Sequence, residues 1–190
     1  MNAVLTAVES ALVAHFAHDP LRASVSFVGV DPIEVLRFEP VPGECVFVSL
    51  GAARHPMTGA GESVRSMDGP RAELLLRVRD GSGAHSDVWR KLAVLAAAPA
   101  VEGVVYAAGM TVDLGAPIAA GSPCTGVVVA DAELLTVQTA AGAVRILRVV
   151  PATSTELGWC RVHGGAALLD RWARAGVDLL DLDRRPVRLD

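Results

Sequence analysis

The stretch "VVPATSTELGWCRVHGG", Val149 to Gly165, sets a proline, four hydroxyl or acid side chains, a cysteine and a histidine close together. Two chemistries suit such a set. Cys160 and His163 would supply half of a zinc site, and a cysteine beside a histidine can form an activated thiolate. The zinc reading lacks a second pair at ligand spacing, whereas a structural site takes four ligands. The thiolate reading draws on Cys45 or Cys160 with His55 or His163, yet Cys45 lies inside an apparent strand, where a buried, inert thiol is expected. Thr153 and Glu156, three residues apart, match a capping box: the hydroxyl accepts from one free amide of a helix start and the carboxylate reaches back to another. The glycines of "TGAGES", Gly59 and Gly61, are not followed by the lysine and helix of a phosphate loop, and they mark a surface loop. Asp181, Asp183, Arg184 and Arg185 form a mixed-charge cluster of the kind found on a solvated face or a salt-bridged tail. No catalytic residue, cofactor-binding loop or metal site is assigned, and the chain reads as a non-enzyme that needs no cofactor.

Composition narrows the class further. At 190 residues the chain suits one domain, residues 1–190, able to bury a full core without disulfide or metal support. Its residues are 52% hydrophobic, with a mean hydropathy of +0.41, but only 4% are aromatic, so the interior is built largely from alanine and valine. The longest apolar stretch, Leu92 to Val101, is about half the length a membrane span requires, and Pro99 interrupts it. The first residues lack a basic start and a small-residue cleavage site, and Glu9 falls where a signal peptide needs an apolar core. Three widely spaced cysteines, Cys45, Cys124 and Cys160, make no disulfide framework and read as reduced and buried. A net charge of -4, with no basic run, lacks the footprint of a nucleic-acid binder. Lys91 is the only lysine, which with abundant Ala, Gly and Pro points to a GC-rich bacterial genome. The expectation is a bacterial cytoplasmic protein with neither a nucleic-acid nor a membrane partner.

These side chains need elements to position them. Val4, Leu5, Val8, Leu12 and Phe16 recur at helical spacing, predicting an amphipathic helix that ends near Asp19-Pro20. The runs "ASVSFVGV", "IEVLRFE" and "CVFVSL", separated by "DP" and "PVPGE", read as antiparallel strands joined by turns. "AELLLRVR" alternates well enough to predict a strand with one half-solvated face carrying Glu73, Arg77 and Arg79. "SDVWRKLAVLAAA" predicts a helix capped by Ser86, burying Trp89, Leu92 and Ala96 and stopping before Pro99. "TGVVVA", "ELLTVQT" and "VRILRVV" read as a three-stranded meander in the middle of the sheet. The helix opened by Thr153 buries Leu157 and Cys160 and ends at Gly164-Gly165; a last helix turns Leu168, Leu169, Trp172 and Ala173 inward. The predicted class is α+β: a mostly antiparallel central sheet with an N-terminal helix, a middle helix and two C-terminal helices packed against it.

The order "VSLGAARHPM", "GPRAELLLRV", "WRKLAVLAAAP", "GMTVDLGAPI", "VVPATSTELGW", "HGGAALLDRW" and "VDLLDLDRRPV" resembles the suppressor-of-fused (SUFU) domain family, from about Cys45 to the C-terminus. The chain departs from that pattern at Ala52-Ala53, where a Met or Leu followed by Ser is expected. The resemblance implies a binding module. Animal members sequester a transcription factor by holding an extended peptide in a cleft through strand addition, a mode in which main-chain hydrogen bonds give affinity and pockets give selectivity. Single-domain bacterial members resemble immunity proteins of polymorphic toxin systems, so the implied partner is another protein, such as a toxin domain encoded by a neighbouring gene. A regulator of a cellular protein and a cysteine-dependent hydrolase remain as alternatives. The glycine-rich segment "GAARHPMTGAGESVR" and the charged tail are the expected contact surface, through Arg54, His55, Met57, Arg65, Arg184 and Arg185. An exposed sheet edge leaves both a monomer and a homodimer open.

Overall fold

The computed structural model describes residues 2–60, 69–79 and 87–189, and for residues 132–134 the backbone alone. Helix α1 (Ala3–Phe16) begins where the Asn2 side chain accepts from the Val4 amide at 2.9 Å, and it buries Val4, Leu5, Val8 and Leu12. Strands β1 (Leu21–Phe27), β2 (Val30–Phe38), β3 (Glu44–Leu50) and β4 (Arg71–Arg79) follow as successive antiparallel neighbours. Helix α2 (Val88–Glu102) leads to a short strand β5 (Thr111–Asp113), the long hairpin of β6 (Cys124–Thr139) and β7 (Gly142–Thr153), and helices α3 (Ser154–His163) and α4 (Gly165–Ala175). The seven strands form one sheet in the order β1-β2-β3-β4-β7-β6-β5. Two antiparallel sets meet at a single parallel junction, with Arg71 to Leu75 beside Val144 to Arg148. The architecture is the predicted α+β one.

Helices cover both faces of this sheet. On one face, Val35, Phe47, Leu74, Leu76, Val129 and Leu147 pack with Leu92, Ala93 and Ala96 of α2. On the other, Leu36, Val46, Val48, Leu75 and Ile146 meet α1, while Val128, Val150 and Ala152 meet Leu157, Cys160, Leu168 and Trp172 of α3 and α4. Double coverage explains why the central strands are apolar at nearly every position.

It also corrects the reading of "AELLLRVR" as half-solvated. β4 lies between β3 and β7, and Arg71 and Glu73 are buried along with its leucines. Three further expectations differ. Asp31-Pro32 is not the turn between β1 and β2; Val28-Gly29 turns the chain, and Pro32 falls where the β1–β2 register shifts, an irregularity that tolerates a residue without an amide proton. The expected meander is a hairpin: "TGVVVA" and "ELLTVQT" belong to one strand, β6, whose register against β7 shifts between Asp131 and Thr136. Ala173 is exposed, while Leu168 and Trp172 are buried as expected. The expected cap, Ser86, lies outside the described residues.

Helix α2 does not stop before Pro99 but runs through it to Glu102. A proline inside a helix leaves the carbonyl four residues earlier without its partner. Here that carbonyl belongs to Leu95, and the buried Tyr106 hydroxyl donates to it at 2.8 Å. A side chain from beyond the helix thus replaces the missing amide. We expect Tyr106→Phe to lower unfolding stability by about 1–2 kcal/mol in urea titrations. The loss should shrink in a Pro99→Ala background, where an amide can serve Leu95; an equal loss in both backgrounds would contradict this pairing.

Candidate functional site

A cleft of about 460 Å³ opens beside the β1–β2 turn. Gly29, Asp31 and Ile33 form one wall, Gly51, His55 and Thr58 of the loop after β3 form a second, and Ala96, Pro99, Ala100 and Gly103 of α2 form the third. The α2 wall is built from small side chains, so the opening lies between backbones. Gly103, with φ +68°, ends α2 and approaches the loop so closely that a Cβ there would lie 2.8 Å from the Ala60 nitrogen. The Ala60 amide donates to the Gly103 carbonyl at 3.0 Å, closing one end of the cleft.

The loop rests on two buried charged side chains of β4, two residues apart and therefore on one face of the strand. Glu73 is fully buried, and its carboxylate accepts from the amides of Gly51 (2.8 Å), Ala53 (2.9 Å) and Ala52 (3.3 Å) and from the Ser49 hydroxyl (2.5 Å). Those amides open a short 3-10 turn, Ala52–Arg54. Arg71 takes the other end: its guanidinium donates to the carbonyls of Ala53 and Arg54, both at 2.9 Å. Burial pushes the Glu73 carboxyl up to about 7, against the opposing pull of Ser49 and the three amides.

This support fixes where the loop's own side chains go. Arg54 Nε and His55 Nε2 each lie 3.4 Å from Asp31 Oδ2 at the cleft mouth, joining the loop to the start of β2. His55 and Asp31 are about half exposed, so both can meet another molecule. Met57 does not: the expected exposed methionine is buried in the core under α2, and its amide donates to the Pro70 carbonyl at 2.8 Å. Arg65 lies outside the described residues. Arg184, expected on a charged tail, is also buried. It pairs with Glu156, Nη1 to Oε1 at 2.8 Å and Nη2 to Oε2 at 2.9 Å, and donates to the Pro151 carbonyl. Arg185 beside it is exposed. Of these residues His55 lines the cleft and Arg54 reaches its mouth through Asp31; the sequence reading named neither the cleft nor Glu73 and Arg71, which hold the loop, although charged residues inside an otherwise apolar strand were the available signal.

The capping box of Thr153 and Glu156 is present as read, and Glu156 does more than cap. Its carboxylate also accepts from the Trp172 indole at 2.9 Å and the Val187 amide at 3.0 Å. Burial pushes this carboxyl up, but Arg184, the amides of Thr153 and Val187 and the Trp172 indole overcome that and hold it below its ordinary range. His163 stacks on Trp159 and hydrogen-bonds the Trp159 carbonyl through Nδ1 at 3.1 Å, while Cys160 is buried. Burial pushes the thiols of Cys124 and Cys160 up, the opposite of what a nucleophilic thiolate requires. Among the described residues, no group of three or more His, Cys, Asp or Glu side chains could hold a metal ion, and no helix is long and apolar enough to cross a membrane.

The family model described as suppressor of fused protein (SUFU) matches residues 29–185. No curated protein matches the sequence. A solved complex of Sufu with Fu superposes with a TM-score of 0.72 at 17% identity, over 97% of this chain and 91% of that one. A SUFU homolog from Neisseria gonorrhoeae gives 0.70 at 18% identity, over 97% of both chains. Drosophila Suppressor of Fused gives 0.73 at 16% identity, over 97% of this chain and 51% of that one. At these identities the structural matches establish the shared fold.

The Glu73 geometry has a consequence for stability against pH. An unfolded glutamate ionises near pH 4.5, while the buried one keeps its proton to about pH 7. The unfolded state therefore releases its proton first, and stability contributed by this group falls as pH rises across that interval, by about 3 kcal/mol. Glu73→Gln, which cannot titrate, should flatten that part of a urea-unfolding pH profile; an unchanged slope would assign the dependence elsewhere.

Proposed function

Because the chain belongs to the suppressor of fused protein family, we propose that it is a non-enzymatic protein-binding module, residues 1–190 acting as one domain. The observation that carries this reading is the cleft beside the β1–β2 turn, one wall of which is held in place from beneath by Glu73 and Arg71. A loop already fixed before contact loses little conformational freedom on binding, so more of the contact energy appears as affinity. Arg54 and His55 at the mouth would meet the partner's polar groups, and the small-residue walls would receive an extended segment of it. The solved Sufu–Fu complex supports a protein as the partner class.

The finer reading is an immunity-type role in a bacterial cytoplasm, in which the chain neutralises a toxin by direct binding. The matching length of the Neisseria gonorrhoeae homolog supports a bacterial member of this size, and a net charge of -4 favours capture of a basic partner by long-range attraction. A regulator that sequesters a cellular protein is the second reading, favoured by a structural neighbour solved with Fu bound.

The gene beside this one decides between them. Under the immunity reading it encodes a large secreted protein with a variable C-terminal domain. Co-expression of this chain should rescue cells from that domain, and the two should co-purify. A non-toxic captured partner would select the regulator. For the cleft itself, Arg54→Ala with His55→Ala should weaken binding at least about tenfold, roughly 1.4 kcal/mol, with thermal unfolding unchanged. Undiminished binding by this variant would place the contact surface elsewhere.

A further inference from the structure

The two edges of the sheet are unlike. β5 offers three residues, with Arg161 near Asp113 at its end. β1 offers seven, Leu21 to Phe27, and among the described residues no strand pairs with its outer side. None of its residues lines the cleft. Edge strands are ordinarily blunted by lysine, proline or an inward-pointing charge. β1, "LRASVSF", carries only Arg22, and that guanidinium is already held on its own molecule by Glu9 of α1 and Glu34 of β2. Leu21 is 66% exposed at one end of the strand, on the side from which Val25 and Phe27 reach the core.

The strand is also complementary to itself. Laid antiparallel to a second copy about a two-fold axis at Ser24, Leu21 falls opposite Phe27, Arg22 opposite Ser26, Ala23 opposite Val25, and Ser24 opposite Ser24. Side chains alternate between faces along a strand, so this register puts the apolar residues of both copies on one face and the polar ones on the other. Each exposed Leu21 gains an aromatic neighbour. The two Arg22 positions lie four residues apart along the pairing, about 13 Å, beyond the range at which screened surface charges repel strongly. The register shift against β2 falls between Val25 and Phe27, leaving Leu21 to Val25 in regular register.

We propose that β1 is a homodimer interface, at which a second copy of this chain continues the sheet through antiparallel β1–β1 pairing centred on Ser24. The interaction does not depend on the cleft or on the identity of its partner. Seven residues a side make a small interface, so the dimer is weak and reversible and forms at high protein concentration.

Two cysteine variants test it. Directly opposite residues of an antiparallel pair bring their Cβ atoms within about 5.5 Å, near disulfide reach. Ser24→Cys should therefore cross-link under mild oxidation. Ser26→Cys, equally exposed but about 13 Å from its counterpart, should not. The three native cysteines are buried and leave the background low. In sedimentation velocity at about 0.5 mM, where weak complexes are populated, the wild type should show dimer, and Ser24→Lys, which sets two like charges directly opposite each other on the exposed face, should be monomeric with unchanged circular dichroism. Equal cross-linking of the two cysteine variants overturns the proposal. So does a wild type that stays monomeric, or cross-linking of Ser24→Cys only to a different protein.

Discussion

A single carboxylate in the middle of the sheet organises the loop that walls the cleft. β4 is enclosed by strands on both sides and helices on both faces, so an ionisable group there has no water to turn to. Glu73 is stable in that position because Ser49 of β3 supplies one donor and the chain after β3 bends back over it to supply three more. The dependence is mutual. Without the carboxylate, the amides of Gly51, Ala52 and Ala53 would lack an acceptor; without the 3-10 turn, the carboxylate would be a bare buried acid. Arg71 completes the arrangement by taking the carbonyls at the other end of the turn, and Arg54 and His55 inherit their positions from both.

Glu156 applies the same chemistry farther along the same face of the sheet, where α3 and α4 pack, with a different electrostatic result. Both carboxylates are buried and both gather backbone amides, yet one titrates above its ordinary range and the other below. The difference lies in where the neighbouring arginine points. Arg184 faces Glu156 in a two-point pair, with its guanidinium 5.0 Å above the Trp172 ring. Arg71 instead directs its donors at carbonyls. A charge that holds a loop and a charge that holds its counter-ion are distinct uses of arginine, and composition does not distinguish them.

Much of the fold was legible because period and punctuation agreed. The α1 face, the Thr153–Glu156 cap and the Gly164 stop are local patterns, decided by side chains within a few residues of one another. The errors came from tertiary partners. Nothing near Pro99 in sequence announces that Tyr106 will serve the Leu95 carbonyl, so a break was expected where the helix continues. "DA" after Ala130 looks like a turn, but pairing with β7 carries the strand through it. Glu73 alternates like a solvated residue, and it is buried because the loop after β3 folds over that face of the strand. Of the expected contact residues, His55 lines the cleft and Arg54 meets it only through Asp31, whereas Met57 and Arg184 are internal, because apolar contact and a buried counter-ion outweighed the loop-like and tail-like composition around them.

The parallel junction between β4 and β7 bears on how the chain acquires its shape. Within each antiparallel set, neighbouring strands are joined locally, so each set can assemble from contacts close in sequence. The seam between them brings Leu74 against Leu147 across a long stretch of intervening chain, and its loop-closure entropy must be met before any apolar contact repays it. Of the sheet's pairings this one closes the longest loop, and while it is open each set carries a bare strand edge of the kind that pairs with other chains.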